Sequence, residues 1–467
     1  MKIKPRVLCC ILASSLLALP AFAQMTAATR SSIDEAVNKV ILKTGIASAS
    51  IAVVEDGKPA YAQAYGFSNL ELHTRATPAM RYKIGSNSKQ ITATAILLLS
   101  AEGKISLDDP VSRFFPDLTR ASEITIRELL SHTSGYEDYY ALDYVAPYMA
   151  LPTTPLRIID TWGKKPLNFD PGTQWQYSNT NYTIAGAVIE KITGIPLIDF
   201  LRARIFDPLG MKSPIDVDRQ PWSKDDATGY TRFALGPPRV AQPEGSAWIF
   251  AAGELAMTAS DMALWDISLM NGTVLKPALL KELTTEVHLK NGVGTGYALG
   301  LGVGNSNGHR IWSHGGGTSG FISSNTTYPD DRMAITVFTN QDDPAAHEIA
   351  HEIQHILKTP AVDPNSAKTL ALVESVYRQL SEGKLDRSLL TSDANAYFTD
   401  QAIADYAASL KPLGTPSEFK ETGATYRGGM SYRFYQLKTK SKRLTISTFI
   451  TPDGKLDEFL VYPAPLP

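Results

Sequence analysis

Cysteine is nearly absent: 467 residues contain two, Cys9 and Cys10, side by side near the N-terminus. That leaves no cysteine framework for disulfides or metal ligands through the rest of the chain. Charge of one sign is missing too. The formal net charge is −2, from 45 basic and 47 acidic side chains, so the basic excess of a nucleic-acid binder is not there. A composition 43% hydrophobic and 20% charged excludes a disordered or collagen-like chain. There are no short repeats or low-complexity tracts, and only one long apolar run, Val7 to Leu19.

That run is informative by its setting. Lys2, Lys4 and Arg6 precede it, and Pro20 and Ala21-Phe22-Ala23 follow. A basic start, a short apolar core and a small-x-small site predict a secretory signal peptide over 1–23, cleaved after Ala23. The run is shorter than the roughly 20 residues that span a bilayer, so no stable membrane span is expected after cleavage. The leader takes both cysteines with it. The expected product is periplasmic or secreted, of about 440 residues, enough to build its own core.

Periodicity predicts helices at 31–44, 86–102 and 344–357, the second apolar nearly all round and so centrally buried. Strands are predicted at 48–55 and 59–66 around Asp56-Gly57, a hairpin signal, and again at 297–304, 309–314, 320–328 and 333–339. A proline-rich helical insert lies between, from about 105 to 245. The domain reading is 24–358, a linker 359–365, and a small α+β domain 366–467. That last segment has helices at 366–382 and 400–410, then strands at 418–426, 430–439, 443–450 and 456–462.

Four segments compete for the chemistry. In Ser86-Asn87-Ser88-Lys89, serine opens the buried helix and lysine lies one turn on, on the same face. A desolvated lysine loses its proton readily and can serve as a base. The spacing alone is weak, since a helix-capping serine fits equally and Ser381 to Lys384 repeats it at a helix end. Gly304 to Gly308 fits G-x-S-x-G, but a nucleophile elbow needs a following helix; between two strands Ser306 reads as a hairpin turn. His347, Glu348 and His351 fit H-E-x-x-H, and His351, Glu352 and His355 fit it again. At 100° per residue the three histidines fall on the side opposite Ile349 and Ile353, a solvated face with weak metal affinity at most, so no metal site is assigned. The fourth is a set: Tyr177-Ser178-Asn179 before a helix, and His314-Gly315-Gly316-Gly317 at a strand end.

Taken in order, the segments around Ser86–Lys89, GKISLDDPVSRFFP (103–116), ITIRELLSHTSGY (124–136), PGTQWQYSNTNY (171–182), TASDMALW (258–265) and HGGGTSGF (314–321) resemble the serine hydrolases related to class C β-lactamases and penicillin-binding proteins. The resemblance implies an α+β fold: an antiparallel sheet flanked by helices, plus a helical subdomain. It implies Ser86 as acylated nucleophile, Lys89 and Tyr177 sharing general-base work, and Asn179 holding lysine and substrate. Ser86 and Gly317 N–H groups would form the oxyanion hole, with substrate lying along Gly315 and Gly316. No cofactor is implied, and the partner is a small-molecule or peptide substrate. Class C β-lactamases have Lys-Thr-Gly where this chain has His314-Gly315-Gly316, which puts efficient β-lactam turnover in question, since histidine is mostly neutral at pH 7. His314 is still expected to donate a hydrogen bond to substrate or Tyr177. The reading is therefore an exported ester or amide hydrolase. Alternatives are a β-lactamase, a D,D-carboxypeptidase or D-aminopeptidase, and a non-catalytic peptide binder. Residues 366–467 resemble the cone-shaped NTF2-like domains. Lys438, Lys440, Lys442 and Arg443 mark a basic hairpin tip there, read as a solvated turn.

Overall fold

The computed structural model describes residues 25–463, apart from 143, 221, 225, 235, 307, 358–365 and 428. The expected leader and linker lie outside the described residues.

A seven-stranded antiparallel sheet organises the first three-quarters of the chain. Its strands run in the spatial order 74–75, 58–69, 48–55, 333–339, 321–328, 309–318, 302–306. The N-terminal hairpin therefore pairs with strands almost 300 residues away: Ile51 lies opposite Val337 and Val53 opposite Ile335. Asp56 and Gly57, with φ of 51° and 70°, make the two left-handed turn residues that match strand twist. Alternation along strand 48–55 divides the core. Ala49, Ile51 and Val53 pack with helices Ala27–Thr44 and Ala345–Leu357, whereas Ala52 and Val54 face helices Ser88–Ala101 and Ala259–Asn271. Side chains of a strand point alternately to its two faces, so one apolar strand supports two layers of helices.

Helix Ser88–Ala101 is the central rod. Ile91, Ile96, Leu97 and Leu99 have no exposed surface, each contributing about 1.5–3 kcal/mol of burial. It begins after a single tight turn, Gly85–Asn87, which the apolar pattern does not reveal. The first helix starts at Ala27 rather than 31 because the Thr26 hydroxyl accepts from Thr29 N, a side-chain cap. The expected strand 297–304 is Gly302–Ser306 instead. Gly300, at φ +76°, turns the chain hard against helix 88–101; a Cβ there would stand 2.8 Å from the Lys89 carbonyl oxygen.

Beyond the undescribed 358–365, helices Ser366–Ser381 and Asp400–Leu410 pack on a four-stranded meander of Glu418–Arg427, Met430–Lys438, Arg443–Ile450 and Leu456–Pro463. A further short helix, Ser392–Tyr397, stands between them. The core of this unit draws only on residues from 370 onward. Among the described residues no helix is long and apolar enough to cross a membrane.

Candidate active site

Ser86 sits in the turn that launches the central helix, and Lys89 follows inside its first turn, fully buried. Lys89 Nζ lies 2.9 Å from Ser86 Oγ, 2.8 Å from Asn179 Oδ1 and 2.7 Å from the Ala252 carbonyl oxygen. Burial pulls its ammonium down to about 7, partly opposed by the carboxylates of Asp138 and Glu254. Asn179 Oδ1 and a carbonyl accept only, so each takes an N–H bond from Lys89, and the third position on Nζ faces Ser86 Oγ. In the neutral amine that third position is a lone pair directed at the Ser86 hydroxyl.

Asn179 opens helix Asn179–Thr193. Its side-chain orientation is set by Asp138, which accepts from Asn179 N at 2.9 Å and from Nδ2 at 3.1 Å. Nothing in the sequence pattern singles out Asp138; it reaches the site through a loop folded back on the helix start. Just before that helix, Tyr177 presents its ring to Lys89, with Nζ 4.9 Å from the centroid. Its hydroxyl is buried and has no hydrogen-bond partner of ordinary geometry. Burial raises its pKa well above the usual tyrosine value, with Ser86 acting in the opposite direction.

Strand His309–Thr318 closes the other wall. Its glycines are required by contact distance. A Cβ on Gly316 would stand 2.0 Å from the Ile84 carbonyl oxygen, and one on Gly85, at φ +52°, would stand 2.9 Å from Gly317 N. Bare backbone thus brings Gly317 beside the turn that carries Ser86. Ser86, Tyr140, Asn179, Gly317 and Thr318 line a narrow cleft, and the Thr318 hydroxyl, like that of Tyr177, is buried without a protein partner.

His314 departs from the expectation that it donates toward Tyr177. Its Nε2 is 2.8 Å from the Tyr297 hydroxyl, and Nδ1 meets the Gly315 carbonyl. Nδ1 therefore carries the proton and Tyr297 donates to Nε2. Burial, then Lys89, pulls its pKa down to about 4. Both ring nitrogens are engaged, and burial favours the neutral ring.

The competing motifs have structural explanations. Ser306 ends its strand bonded to Gln354 Nε2 at 3.2 Å. Ser381 donates to the Arg378 carbonyl at 2.7 Å at its helix end. On helix 345–357, Ile349 and Ile353 are buried. His351 and His355 pair at 3.2 Å on the exposed side, while His347 leans toward Gly315, its Cε1 3.1 Å from where a Cβ would stand. Among the described residues no group of three or more histidine, cysteine or acidic side chains is placed to hold a metal ion.

Comparison with known proteins identifies the family. The sequence model of the Beta-lactamase family matches residues 23–358. The D-aminopeptidase of Brucella anthropi is 29% identical over 314 residues, 66% of this chain and 58% of that protein. A D-stereospecific amidohydrolase from Streptomyces sp. superposes with a TM-score of 0.59 at 28% identity, over 68% of this chain and 96% of its own. An octameric penicillin-binding protein homologue from Pyrococcus abyssi covers 92% of this chain and 99% of its own, with a TM-score of 0.63 at 19% identity; that likeness is one of fold.

Proposed function

Since the chain belongs to the Beta-lactamase family and is a serine hydrolase of that kind, we propose that Ser86 forms an acyl-enzyme with an ester or amide substrate and passes the acyl group to water. The observation that carries the assignment is the Lys89 amine, buried, drawn toward neutrality, and held by two acceptor-only partners with Ser86 Oγ 2.9 Å away. Lys89 takes the Ser86 proton as Oγ bonds the carbonyl carbon. The Ser86 and Gly317 N–H groups receive the oxyanion. Tyr177 relays the proton to the leaving oxygen or nitrogen as that bond breaks, and the same groups then activate water. Asn179 orients Lys89, and Gly315 and Gly316 lie along the substrate.

The wall at His314 supports an ester or amide without an obligatory carboxylate. A neutral imidazole whose nitrogens are both engaged offers no cation to a β-lactam or a C-terminal carboxylate. A D-amino-acid amide is the second reading. The 29% identity to the D-aminopeptidase of Brucella anthropi supports that reading. Residues 1–23 support export to the periplasm or beyond, and 366–467 a separate NTF2-like module. A panel of short nitrophenyl esters, D- and L-amino-acid anilides and penicillins, run on wild type and Ser86→Ala, tests the assignment. Hydrolysis surviving in Ser86→Ala overturns it, and rapid penicillin turnover overturns the substrate reading. N-terminal sequencing of the exported protein tests cleavage after Ala23.

A further inference from the structure

His132 stands where a glycine is the ordinary residue. It terminates the short helix Ile126–Leu130 in the left-handed conformation, φ +61°. The Thr133 N–H bonds back to the Glu128 carbonyl at 3.0 Å and His132 N to that of Leu129 at 3.2 Å. This is a Schellman-type ending, whose left-handed position glycine or asparagine fills with least strain. A fully buried histidine here is not explained by the cap.

Its contacts explain it. The His132 carbonyl accepts from Gln176 N at 3.0 Å, and its Nδ1 accepts from Ser178 N at 3.2 Å. Those two N–H groups flank Tyr177. Between them the imidazole lies against the Tyr177 ring, centroids 4.3 Å apart and planes 36° apart. Tyr182 and Tyr297 enclose the other sides at 5.3 Å and 5.1 Å. Because Nδ1 accepts, the ring's proton is on Nε2, which is buried and has no partner. A solely structural role in a cap leaves the left-handed strain without compensation; strain of this kind collects at functional sites.

We propose that His132 is the positioning residue for Tyr177, clamping the peptide on both sides of it and backing its ring so that the hydroxyl is held toward Ser86. This rests on the reading of Ser86 as nucleophile. It adds that the acceptor at Nδ1, rather than the bulk of the ring or the cap, is the part that matters.

Three substitutions separate these roles. His132→Gly gives the ideal cap and removes clamp and ring. His132→Asn also suits the cap and places an amide oxygen where Nδ1 accepts. His132→Phe keeps a ring and loses the acceptor. Each is measured by ester turnover, by the rate of Ser86 labelling with a fluorophosphonate, and by thermal unfolding. Expected is a fall in kcat of roughly tenfold or more for Gly and Phe, with KM within about threefold and Asn within a few-fold of wild type. His132→Gly should melt no lower than His132→Phe. Wild-type kcat in His132→Gly sinks the proposal, as does an Asn variant as slow as the Gly one. A wild type that is not labelled on Ser86 sinks the catalytic reading and the clamp with it. Normal labelling of wild type and His132→Gly at equal rates sinks the clamp alone.

Discussion

One carboxylate oxygen of Asp138 accepts both the backbone N–H and the side-chain amide of Asn179. The amide is thereby fixed with its oxygen toward Lys89 Nζ and its nitrogen away, an orientation an isolated Asn179 has no reason to prefer. Asp138→Ala should let the amide rotate and lower kcat by about tenfold to a hundredfold. It also removes a charge that raises the Lys89 pKa, so what activity remains should persist to lower pH than in wild type. A pH–rate profile of the variant checks both parts; an unmoved acidic limb counts against the electrostatic one.

Lys89 supplies a second pH dependence. With its pKa near 7, the amine is protonated below that pH and cannot accept the Ser86 proton. Acylation should therefore rise with pH through about 7 with a one-proton limb and level off above it. Lys89→Arg, which stays charged throughout, should be inactive at every pH tested. Activity restored to that variant by raising the pH to 9 would contradict the assignment of Lys89 as base.

Neighbouring glycines should answer differently to the same change. Gly316→Ala drives a Cβ into the Ile84 carbonyl oxygen and the Ser323 hydroxyl, 2.0 Å and 2.4 Å away, whereas at Gly317 the nearest atom is a flexible Ile322 methyl at 3.5 Å. Gly316→Ala is expected to lose several kcal/mol, as overpacking of rigid backbone does, and Gly317→Ala to fold normally. Thermal melts of the two variants compare them directly, and equal melting temperatures would be the contrary result.

Asp266 gives a stability prediction away from the cleft. It is fully buried, and burial raises its pKa to about 7 against the hydrogen bonds from Asn325, Thr327 and Thr336. The Thr336 hydroxyl already donates to Asn325 Oδ1 at 2.7 Å and lies 3.3 Å from Asp266 Oδ2. A protonated Oδ2 completes that network by donating to Thr336. The folded chain thus holds a proton that the unfolded chain releases near pH 4. Its contribution is full below that pH and is lost as pH rises to about 7. Asp266→Asn, carrying an N–H where the O–H stands, should be as stable as wild type at pH 5 and more stable at pH 8. Denaturant melts at the two pH values would falsify this if the variant lost more at pH 8 than at pH 5.

The architecture was legible where one physical cause dominates. The buried rod 88–101 shows as an all-round apolar run. The C-terminal strands, Arg443–Ile450 among them, stand within a residue of their expected limits because turn residues bracket each one. What stayed hidden was set by contacts between distant segments. The irregular chain from Tyr297 to Gly300 reads as a strand, since its apolar side chains serve packing against helix 88–101. Ser86, Lys89, Tyr177 and Asn179 are visible as short motifs in order. Asp138 is not, and His132 stands inside the segment 124–136 with no role readable there, because what each does depends on which loop folds over which helix start. His314 was legible as a departure from Lys-Thr-Gly, but its bond to Tyr297 depends on a loop that periodicity does not describe.

The pairing of strand 48–55 with strand 333–339 joins segments from opposite ends of the order of synthesis. Ser86 and Lys89 are made early, but the backbone that presses on them, Gly316 and Gly317, comes some 230 residues later. The central position in the sheet beside Val53 stays vacant until Ile335 arrives. A chain interrupted anywhere before residue 317 carries its serine and lysine without the wall that makes them a site. A fragment ending before residue 317 is therefore expected to lack hydrolase activity even though it contains Ser86 and Lys89.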